Sequence, residues 1–211
     1  MPKPVRAVIF DFFGVIAYDQ DPATRERIEQ VLDVPAPTLW QRYWRYRRAH
    51  DLNELDGREF WRAVADTELD AATTARLIEL DVASASRVDD SVVDIVRELG
   101  EQPVTVSLLS NLPLDTLRWH QEHTPVLAEF ADVRASCLTG LAKPDPAAFN
   151  SAITRLAVSP EEAVFIDDQE ANVTAAAELG LHAVRYHRGM DLRSTLAALM
   201  SSSPSESVPT V

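Results

Sequence analysis

The sequence predicts an α/β fold, a Rossmann-like doubly wound parallel sheet with an inserted helical cap domain. Short apolar runs of β-prone residues, such as AVIF at 7–10, are typical of strands that are covered on both faces. After residue 89 such runs alternate with helical segments, as in parallel βαβ units. Between residues 19 and 88 the apolar periodicity is helical, without a strand signal. We therefore divide the chain into an α/β core over 1–18 and 89–200, a helical cap over 19–88 and a disordered tail over 201–211.

The first predicted strand, 7–10, ends abruptly on Asp11, and two phenylalanines and Gly14 come directly after it. A carboxylate at this position lies at the carboxyl edge of a parallel sheet, where open α/β folds bind their ligands. Taken alone, Asp11 is better explained as the cap of a turn. Its interpretation therefore depends on the residues at the ends of the other strands.

The inserted segment predicts four helices. Apolar residues recur at three- and four-residue steps, and Asp56 with Glu59 fits a capping box at the start of a helix. The predicted helices are 22–32, 38–51, a helix that runs from Asp56 through Val64, and 70–81. A block of about seventy residues has the size of a small domain.

The second of these helices carries an aromatic and basic run, WQRYWRYRRAH at 40–50. Arginine pairs with anionic groups and aromatic rings stack on ring-shaped ligands, so this run is a candidate substrate-facing surface. The alternative is an amphipathic helix whose aromatics pack inside the cap and whose basic face is solvated. If one of its side chains reaches the substrate, we expect it to be Arg47 or Trp44.

The remainder of the chain predicts alternating strands and helices. Each apolar run is short, and glycine or proline interrupts the helical segments between the runs. The predicted strands are 104–109, 133–138, 163–166 and 182–186, and the predicted helices are 91–99, 113–119, 146–156, 172–179 and 192–200. In a parallel sheet the carboxyl ends of all these strands lie at one edge.

Composition and charge exclude several classes of function. A formal net charge of -13, from 20 basic and 33 acidic side chains, argues against binding to nucleic acid or anionic membranes, because phosphate groups attract the opposite charge. Cys137 is the only cysteine, which excludes an intrachain disulfide, and we expect it to pack in its apolar stretch. The stretch MPKPVRAVIF lacks the apolar core of a signal peptide, and no segment is long enough to span a bilayer. We expect a cytoplasmic monomer or homodimer whose partner is a small molecule.

Polar residues of a particular kind stand at the ends of three predicted strands: Asp11, the pair Ser110–Asn111 and the pair Asp167–Asp168. A lysine, Lys143, lies between a glycine and two prolines in GLAKPDP at 140–146. Because the strand ends share one edge of the sheet, we expect these side chains to converge. A nucleophilic carboxylate, a hydroxyl, an ammonium group and an acidic pair together suit phosphoryl transfer to Asp11.

Each of these groups has a predicted role in that chemistry. Asp11 would attack phosphorus and form an aspartyl-phosphate, which requires a hard cation because a carboxylate and a phosphate dianion repel each other. We expect Asp11 and Asp168 to hold Mg²⁺ through their oxygens, with Asp167 close by. Lys143 and the Ser110 hydroxyl would bind the phosphate oxygens in the transition state, and Lys143 would also keep Asp11 ionised.

Four stretches, in this order, resemble the motifs of the haloacid dehalogenase-like hydrolase superfamily: DFFGVI at 11–16, LLSN at 108–111, GLAKPDPAAF at 140–149 and FIDDQEANVTAAAELG at 165–180. Most members of that superfamily are Mg²⁺-dependent phosphatases, and the helical insertion resembles one of their cap types. The resemblance implies that Asp11 is the nucleophile and that the backbone carbonyl of Phe13 is a further metal ligand. It also implies that Ser110 binds phosphate with Asn111 beside it at the substrate, and that Asn172 orients the last loop.

Phe13 departs from the usual phosphatase motif, which has a second aspartate here that protonates the leaving group and then activates water. Phenylalanine does neither. Three interpretations stay open: a phosphatase of the subgroup with a non-acidic residue at this position, which includes sugar-phosphate phosphatases; a metal-independent 2-haloacid dehalogenase, whose motif has an aromatic there; and a weakly active or non-catalytic binding protein.

We favour the phosphatase because the adjacent carboxylates Asp167 and Asp168 repel each other unless a cation lies between them. Dehalogenases that resemble this fold carry a fourth motif rich in serine and asparagine instead. Without a general acid, the enzyme should favour substrates with good leaving groups, such as anomeric or acyl phosphates.

Overall fold

The computed structural model describes residues 3–201, and its centre is a five-stranded parallel sheet. The strands are β1 Ala7–Phe10, β2 Thr105–Ser110, β3 Asp132–Ala135, β4 Ala163–Asp167 and β5 His182–Arg185. Their order across the sheet is β3-β2-β1-β4-β5, so β1 is central and pairs with both β2 and β4. The carboxyl ends of all five strands therefore lie at one edge.

Ten α-helices connect and cover the strands within the described part of the chain. The first four lie in the segment that the sequence predicts as an insertion: α1 Pro22–Val31, α2 Ala36–Asp51, α3 Gly57–Ala65 and α4 Ala71–Ser84. The others are α5 Asp90–Gly100, α6 Leu114–His123, α7 Ser136–Thr139, α8 Pro146–Leu156, α9 Glu170–Glu178 and α10 Leu192–Ser201. The predicted capping box at the start of α3 is confirmed, since the Asp56 carboxylate accepts from the Glu59 amide and the Glu59 carboxylate accepts from the Asp56 amide.

Both faces of the sheet are covered, as the uninterrupted apolar strands predict. Val8 and Phe10 point into one apolar cluster with side chains of α5, α6 and α10, whereas Ala7 and Ile9 point into a second cluster with side chains of α8 and α9. Every residue of β1 is completely buried. The predicted α/β doubly wound parallel sheet is therefore confirmed.

Helices α1 to α4 pack around an apolar cluster of their own, which includes Tyr43, Phe60 and Trp61. Several contacts join them to the core, and two of these lie near the chain crossings and the end of α2. The chain leaves and re-enters the core side by side, where Ala17 forms a bridge with Val88. At the end of α2, the Ser136 hydroxyl donates to the carbonyl of Asp51 at 2.5 Å. These contacts hold one end of α2 above the carboxyl ends of the strands.

The predicted strand 133–138 is wrong in its second half. Strand β3 ends at Ala135, and Ser136 begins the short helix α7. The reason is local: the neighbouring strand β2 ends at Ser110, opposite Ala135, and the Ser136 hydroxyl accepts from the amide of Leu112 at 3.0 Å and donates to the carbonyl of Asp51. β3 is an edge strand with a single neighbour, so little holds it extended. Cys137 is buried in α7, and burial raises the pKa of its thiol to about 11.

Smaller differences affect the ends of other elements. The last strand ends at Arg185 rather than Tyr186, and several helices begin one or two residues earlier or end later than predicted. The predicted tail, 201–211, lies outside the described residues except for Ser201, which closes α10. Across residues 3–201, none of the helices combines the length and the hydropathy that crossing a bilayer requires.

Candidate active site

The ends of β1 and β4 bring three carboxylates together. The two strands are paired with Phe10 opposite Ile166, so Asp11 lies beside Asp167 and Asp168. Oxygen atoms of the three side chains lie within 4.8 Å of one another. Asp11 and Asp167 are buried and Asp168 is half-buried. Carboxylates this close repel one another, so the arrangement calls for positive charge.

Lys143 supplies one positive charge. Its Nζ atom lies 2.7 Å from Oδ1 of Asp11 and 2.6 Å from Oδ2 of Asp167, and its side chain is almost fully buried. The loop that carries it is held by Asn111, whose Nδ2 donates to the carbonyl of Lys143 and whose Oδ1 accepts from its amide, both at 2.9 Å. We expected Asn111 to bind substrate. These two bonds use its amide to position Lys143, although it also lines the cavity described below.

Asp167 is surrounded by donors. Besides Lys143, the Nδ2 of Asn172 donates to its two oxygens at 3.1 and 3.0 Å, and the amide of Gln169 donates to Oδ1 at 2.7 Å. Asn172 thus holds the loop after β4, where the resemblance puts it. Among residues 3–201, the Asp168 carboxylate accepts a side-chain hydrogen bond only from Nε2 of Gln169, at 2.5 Å. This difference favours Asp168, together with Asp11, as a cation ligand, and favours Asp167 as the group that orients Lys143.

Burial dominates the electrostatics of Asp11. It raises the pKa of this carboxyl to about 7, with Lys143 lowering the pKa and Asp167 raising it. Lys143 therefore lies where predicted and lowers the pKa of Asp11, but the effect of burial is larger. The pKa of Asp168 is also raised, first by burial and then by Asp167. A divalent cation between Asp11 and Asp168 would favour the ionised form of both, so the donor set fits a hard cation.

The Ser110 hydroxyl closes the buried side of the site. Ser110 is 2% exposed, and its Oγ has no hydrogen-bond partner among the described residues. It lies close enough to Asp11 to lower the pKa of that carboxyl slightly, without a hydrogen bond of ordinary geometry. An unpartnered buried hydroxyl costs about 1–3 kcal/mol, so an oxygen of a bound ligand would stabilise it.

Gly14 allows the loop after β1 to approach Asp168. Its φ of +74° lies in the left-handed region, and a Cβ atom built on it would lie 2.4 Å from Cγ of Asp168 and 2.6 and 2.7 Å from the two carboxylate oxygens. No side chain fits there without moving Asp168. The sequence shows Gly14 only as part of the first motif, whereas the structure shows that it packs directly against a member of the carboxylate cluster.

Phe13 lies in the wall of the site, half-buried between the core and the cap. Its ring makes an edge contact with Phe12, 5.6 Å between centroids, and it packs against the apolar cluster on that side of the sheet. The guanidinium carbon of Arg47 lies 5.7 Å from its ring centroid. Phe13 thus fills the position of the missing acid with an apolar ring that is fixed by packing.

A cavity of about 320 Å³ extends from the carboxylate cluster to α2 and α4 of the cap. Both cap residues expected near a substrate, Arg47 and Trp44, line it, and Trp44 is 62% exposed. Sequence reasoning did not single out the carboxylates beside them. Asp51 carried a signal, because it comes four residues after Arg47 on the same helix. No sequence spacing relates Asp81 to Arg47, because Asp81 lies on a different helix, α4, and meets Arg47 only in the folded structure.

Arg47 is held by these carboxylates. Its Nε donates to Oδ1 of Asp51 at 2.7 Å, and one of its terminal nitrogens donates to the Tyr43 hydroxyl and lies 3.8 Å from Oδ2 of Asp81. Tyr43 in turn donates to Oδ1 of Asp81 at 2.7 Å. Burial opposes the charge of Arg47, but Asp51, Tyr43 and Asp81 outweigh it and raise its pKa, whereas burial raises the pKa of Tyr43 and Asp51.

A family model described as haloacid dehalogenase-like hydrolase matches residues 5–180. Among related proteins, acyl-CoA dehydrogenase family member 10 of Mus musculus is 40% identical over 72 residues, 34% of this chain and 7% of that protein. Sesquiterpene phosphatase astK of Aspergillus oryzae is 30% identical over 114 residues, 54% of this chain and 55% of that protein. D-ribitol-5-phosphate phosphatase of Bacteroides thetaiotaomicron is 27% identical over 208 residues, 94% of this chain and 100% of that protein. The chain thus spans only part of the first two relatives.

Two solved structures illustrate the range of similar folds. A HAD family enzyme of Bacteroides thetaiotaomicron in complex with magnesium and inorganic phosphate has a TM-score of 0.76 at 18% identity, with 90% of this chain and 98% of that chain covered. A 2-haloacid dehalogenase of Pseudomonas syringae pv. Tomato has a TM-score of 0.67 at 19% identity, with 94% and 99% covered. Identities this low show a shared fold and do not choose between the two activities.

Proposed function

This chain belongs to the haloacid dehalogenase-like hydrolases, and within that family we propose that it is a Mg²⁺-dependent phosphatase of a small phosphorylated metabolite that acts through an aspartyl-phosphate on Asp11. One observation carries the proposal: three carboxylates have oxygens within 4.8 Å of one another, two of the three pair with a buried lysine, and a buried hydroxyl beside them has no partner among the described residues. The phosphatases among the relatives support the same activity.

The cation would be held by Asp11, Asp168 and the backbone carbonyl of Phe13. When bound, it supplies positive charge that offsets the repulsion between the Asp11 carboxylate and the phosphate. The fit rests on the hard oxygen donors that face each other here and on the carboxylate of Asp168, whose side-chain hydrogen bond within residues 3–201 comes from Gln169 alone. Burial and the neighbouring Asp167 raise the pKa of both Asp11 and Asp168, and a cation bound between them would favour the ionised form of each.

In the proposed reaction, each residue of the site has a separate role. An oxygen of Asp11 attacks phosphorus, the bond from phosphorus to the ester oxygen breaks, and the leaving group departs with the electron pair. Lys143 and Ser110 donate to the phosphate oxygens as charge develops on them. Water then attacks phosphorus, the bond from phosphorus to the Asp11 oxygen breaks with its electron pair on the carboxylate, and the proton of the water passes to solvent as inorganic phosphate leaves. Phe13 neither gives nor accepts a proton, so the leaving group must take its proton from solvent.

We expect removal of the metal to lower the release of phosphate from p-nitrophenyl phosphate by about 10²-fold or more, because the charge that screens nucleophile from phosphate is lost. The assay compares protein treated with excess chelator with the same protein after Mg²⁺ is restored. Activity that persists at full rate in excess chelator would contradict the proposal.

Parallel measurements of halide release and phosphate release distinguish this proposal from a second candidate, a dehalogenase. Phe13 favours a metal-independent 2-haloacid dehalogenase, because an aromatic residue at this position resembles the motif of those enzymes. Halide release from 2-chloropropionate in the presence of chelator, without release of phosphate from any phosphate ester, would establish the dehalogenase instead. No turnover of either substrate class, across a broad panel of phosphorylated metabolites, would leave the binding-protein interpretation.

We expect Gly14→Ala to weaken Mg²⁺ binding about 10-fold or more, because the added methyl group would displace the Asp168 carboxylate. Calorimetry measures the dissociation constant directly. Gly189→Ala is the matched control, since Gly189 also has a positive φ, +86°, and has no atom within 4 Å of the added Cβ. Equal losses in the two variants would mean that backbone strain, and not displacement of Asp168, explains the effect.

We also propose a division of the chain into domains and a cellular compartment. Residues 19–88 would act as the cap domain over a core of 1–18 and 89–200, since helices α1 to α4 share an apolar cluster of their own. The acidic composition and the lone cysteine support a cytoplasmic enzyme, a monomer or homodimer, whose partner is a phosphorylated small molecule.

A further inference from the structure

The side of the cavity opposite the carboxylate cluster is formed by Tyr43, Arg47, Asp51 and Asp81, here called the cap wall. It lies directly above Phe13, since the guanidinium group of Arg47 covers the ring of Phe13. A phosphate bound at Asp11, Lys143 and Ser110 would therefore direct the rest of its substrate toward the cap wall. The composition of this wall restricts what that part of the substrate can be.

The cap wall does not offer a free cation. Arg47 and Lys143 are the basic side chains among the described residues that line the cavity, and carboxylates engage both of them. On the cap wall, Asp51 and Asp81 face the single charge of Arg47, and Asp19 adds a third carboxylate at the rim of the cavity. A second phosphate or a carboxylate on the substrate would thus meet net negative charge.

The cap wall does offer hydrogen-bond acceptors. Within residues 3–201, Asp51 and Asp81 accept side-chain hydrogen bonds at Oδ1, from Arg47 in the first case and from Tyr43 and Gln20 in the second. The second oxygen of each accepts no hydrogen bond from these residues, although Oδ2 of Asp81 lies 3.8 Å from a terminal nitrogen of Arg47. Hydroxyl groups are the ligand donors that suit such oxygens without adding charge. Asp51 and Asp81 are 8% and 6% exposed, so bonds made to them are shielded from water.

Two further features agree with a hydroxylated ligand. Trp44 lines the same cavity with more than half of its surface exposed, and an exposed aromatic ring beside carboxylates can cover the apolar face of a sugar. The cavity volume of about 320 Å³ is at the lower end of the range for small-ligand sites, which suits a phosphate with one small body attached. The unpartnered hydroxyl of Ser110 at the opposite end of the site independently indicates a bound ligand.

We propose that the cap wall is a leaving-group subsite for an uncharged, polyhydroxylated group, so that the substrate is the monophosphate of a sugar rather than a bisphosphate or an ester without hydroxyl groups. This inference rests on the proposed function of the Asp11 site. In it, Asp81 and Asp51 accept from substrate hydroxyls, and Arg47 and Tyr43 hold the two carboxylates in place.

The variant Asp81→Asn tests the subsite, because it keeps the shape of the side chain and removes its charge. We expect kcat/KM for glucose 1-phosphate to fall about 10- to 100-fold and kcat/KM for p-nitrophenyl phosphate, which has no hydroxyls to bind, to stay within about threefold. The preference for glucose 1,6-bisphosphate over glucose 1-phosphate should rise in the same variant. Glu79→Gln, an exposed carboxylate on the same helix, is the control and should change none of these values.

Binding without turnover provides a second readout that is independent of the chemistry. Calorimetry compares glucose 1-phosphate on the Asp11→Asn protein and on the Asp11→Asn/Asp81→Asn protein, and we expect binding to weaken about 10-fold or more in the second. If Asp81→Asn lowers the melting temperature markedly, Tyr43→Phe, which keeps the ring and removes the hydroxyl that holds Asp81, is measured in its place.

Three results would overturn the subsite: equal losses for the sugar and aryl phosphates, a wild-type preference for the bisphosphate, or undiminished calorimetric binding in the double variant. Failure of the proposed function is separate from these. It would appear as wild-type protein that releases no phosphate, or as Asp11→Asn protein that retains activity, and the calorimetric comparison tests the subsite in either case.

Discussion

Asp11→Asn is expected to lower kcat for Mg²⁺-dependent release of phosphate from p-nitrophenyl phosphate by about 10⁴-fold or more, since removal of a nucleophile leaves only binding and electrostatic effects. The amide is nearly the same size as the carboxylate but cannot attack phosphorus. The substitution also removes one of the two carboxylates that contact Lys143, but Lys143 remains paired with Asp167. We therefore expect the variant to fold, and near-identical circular dichroism would verify this.

A covalent readout makes this prediction specific. Wild-type protein quenched during turnover should carry a phosphoryl group that mass spectrometry maps to the peptide containing Asp11, and the variant should carry none. Asp11→Ala should behave in the same way, and it cannot revert to aspartate by deamidation. Asp33→Asn, an exposed carboxylate outside the cavity, is the matched control. A phosphoryl group on another residue, or a loss of activity smaller than tenfold, would contradict a nucleophilic role for Asp11.

Phe13→Asp is expected to raise turnover of substrates with poor leaving groups, with an increase in kcat of about 10²-fold, the lower end of what general acid catalysis contributes. Glucose 6-phosphate, whose leaving group is an ordinary alcohol, should gain most. Glucose 1-phosphate, with its more acidic anomeric hydroxyl, should gain less, and p-nitrophenyl phosphate least. The physical reason is that only the poor leaving groups need a proton in the transition state.

The control for this prediction is Phe13→Asn, which has the same shape as the aspartate and a side chain that does not serve as an acid. Both variants lose the contact with Phe12 and open space beside Arg47, so packing and access change equally in the two. The difference between them therefore reports proton transfer. Equal rates for both variants on glucose 6-phosphate would show that the missing acid at position 13 does not limit the reaction.

The positions of the reactive groups were predictable because they depend on local pattern. Strand β1 is a run of four apolar residues that ends on Asp11, and β4 ends on Asp167 in the same way. Parallel pairing of such strands leaves their ends at one edge, so convergence of the two required no knowledge of the packing around them. The same reasoning placed Ser110 and Lys143 correctly beside Asp11.

The internal contacts of the site were not predictable in the same way. Asn111 was expected to contact substrate, yet its amide holds the backbone of Lys143, 32 residues further along the chain. The approach of Gly14 to Asp168 joins two loops that the sequence separates by more than 150 positions. Such contacts depend on the exact separation of β1 and β4 and on the loops between elements, which no periodicity encodes.

The sequence by itself determined the doubly wound sheet, the helical insertion and the residue types at the strand ends, because alternation of apolar runs and helices is a local property of the chain. Only the tertiary structure decided the electrostatics: burial raises the pKa of Asp11 to about 7 despite the adjacent Lys143, and α4 brings Asp81 beside Arg47 on the cap side of the cavity. Desolvation and charge pairing depend on what surrounds a group in space, and neighbours in space are often distant in sequence.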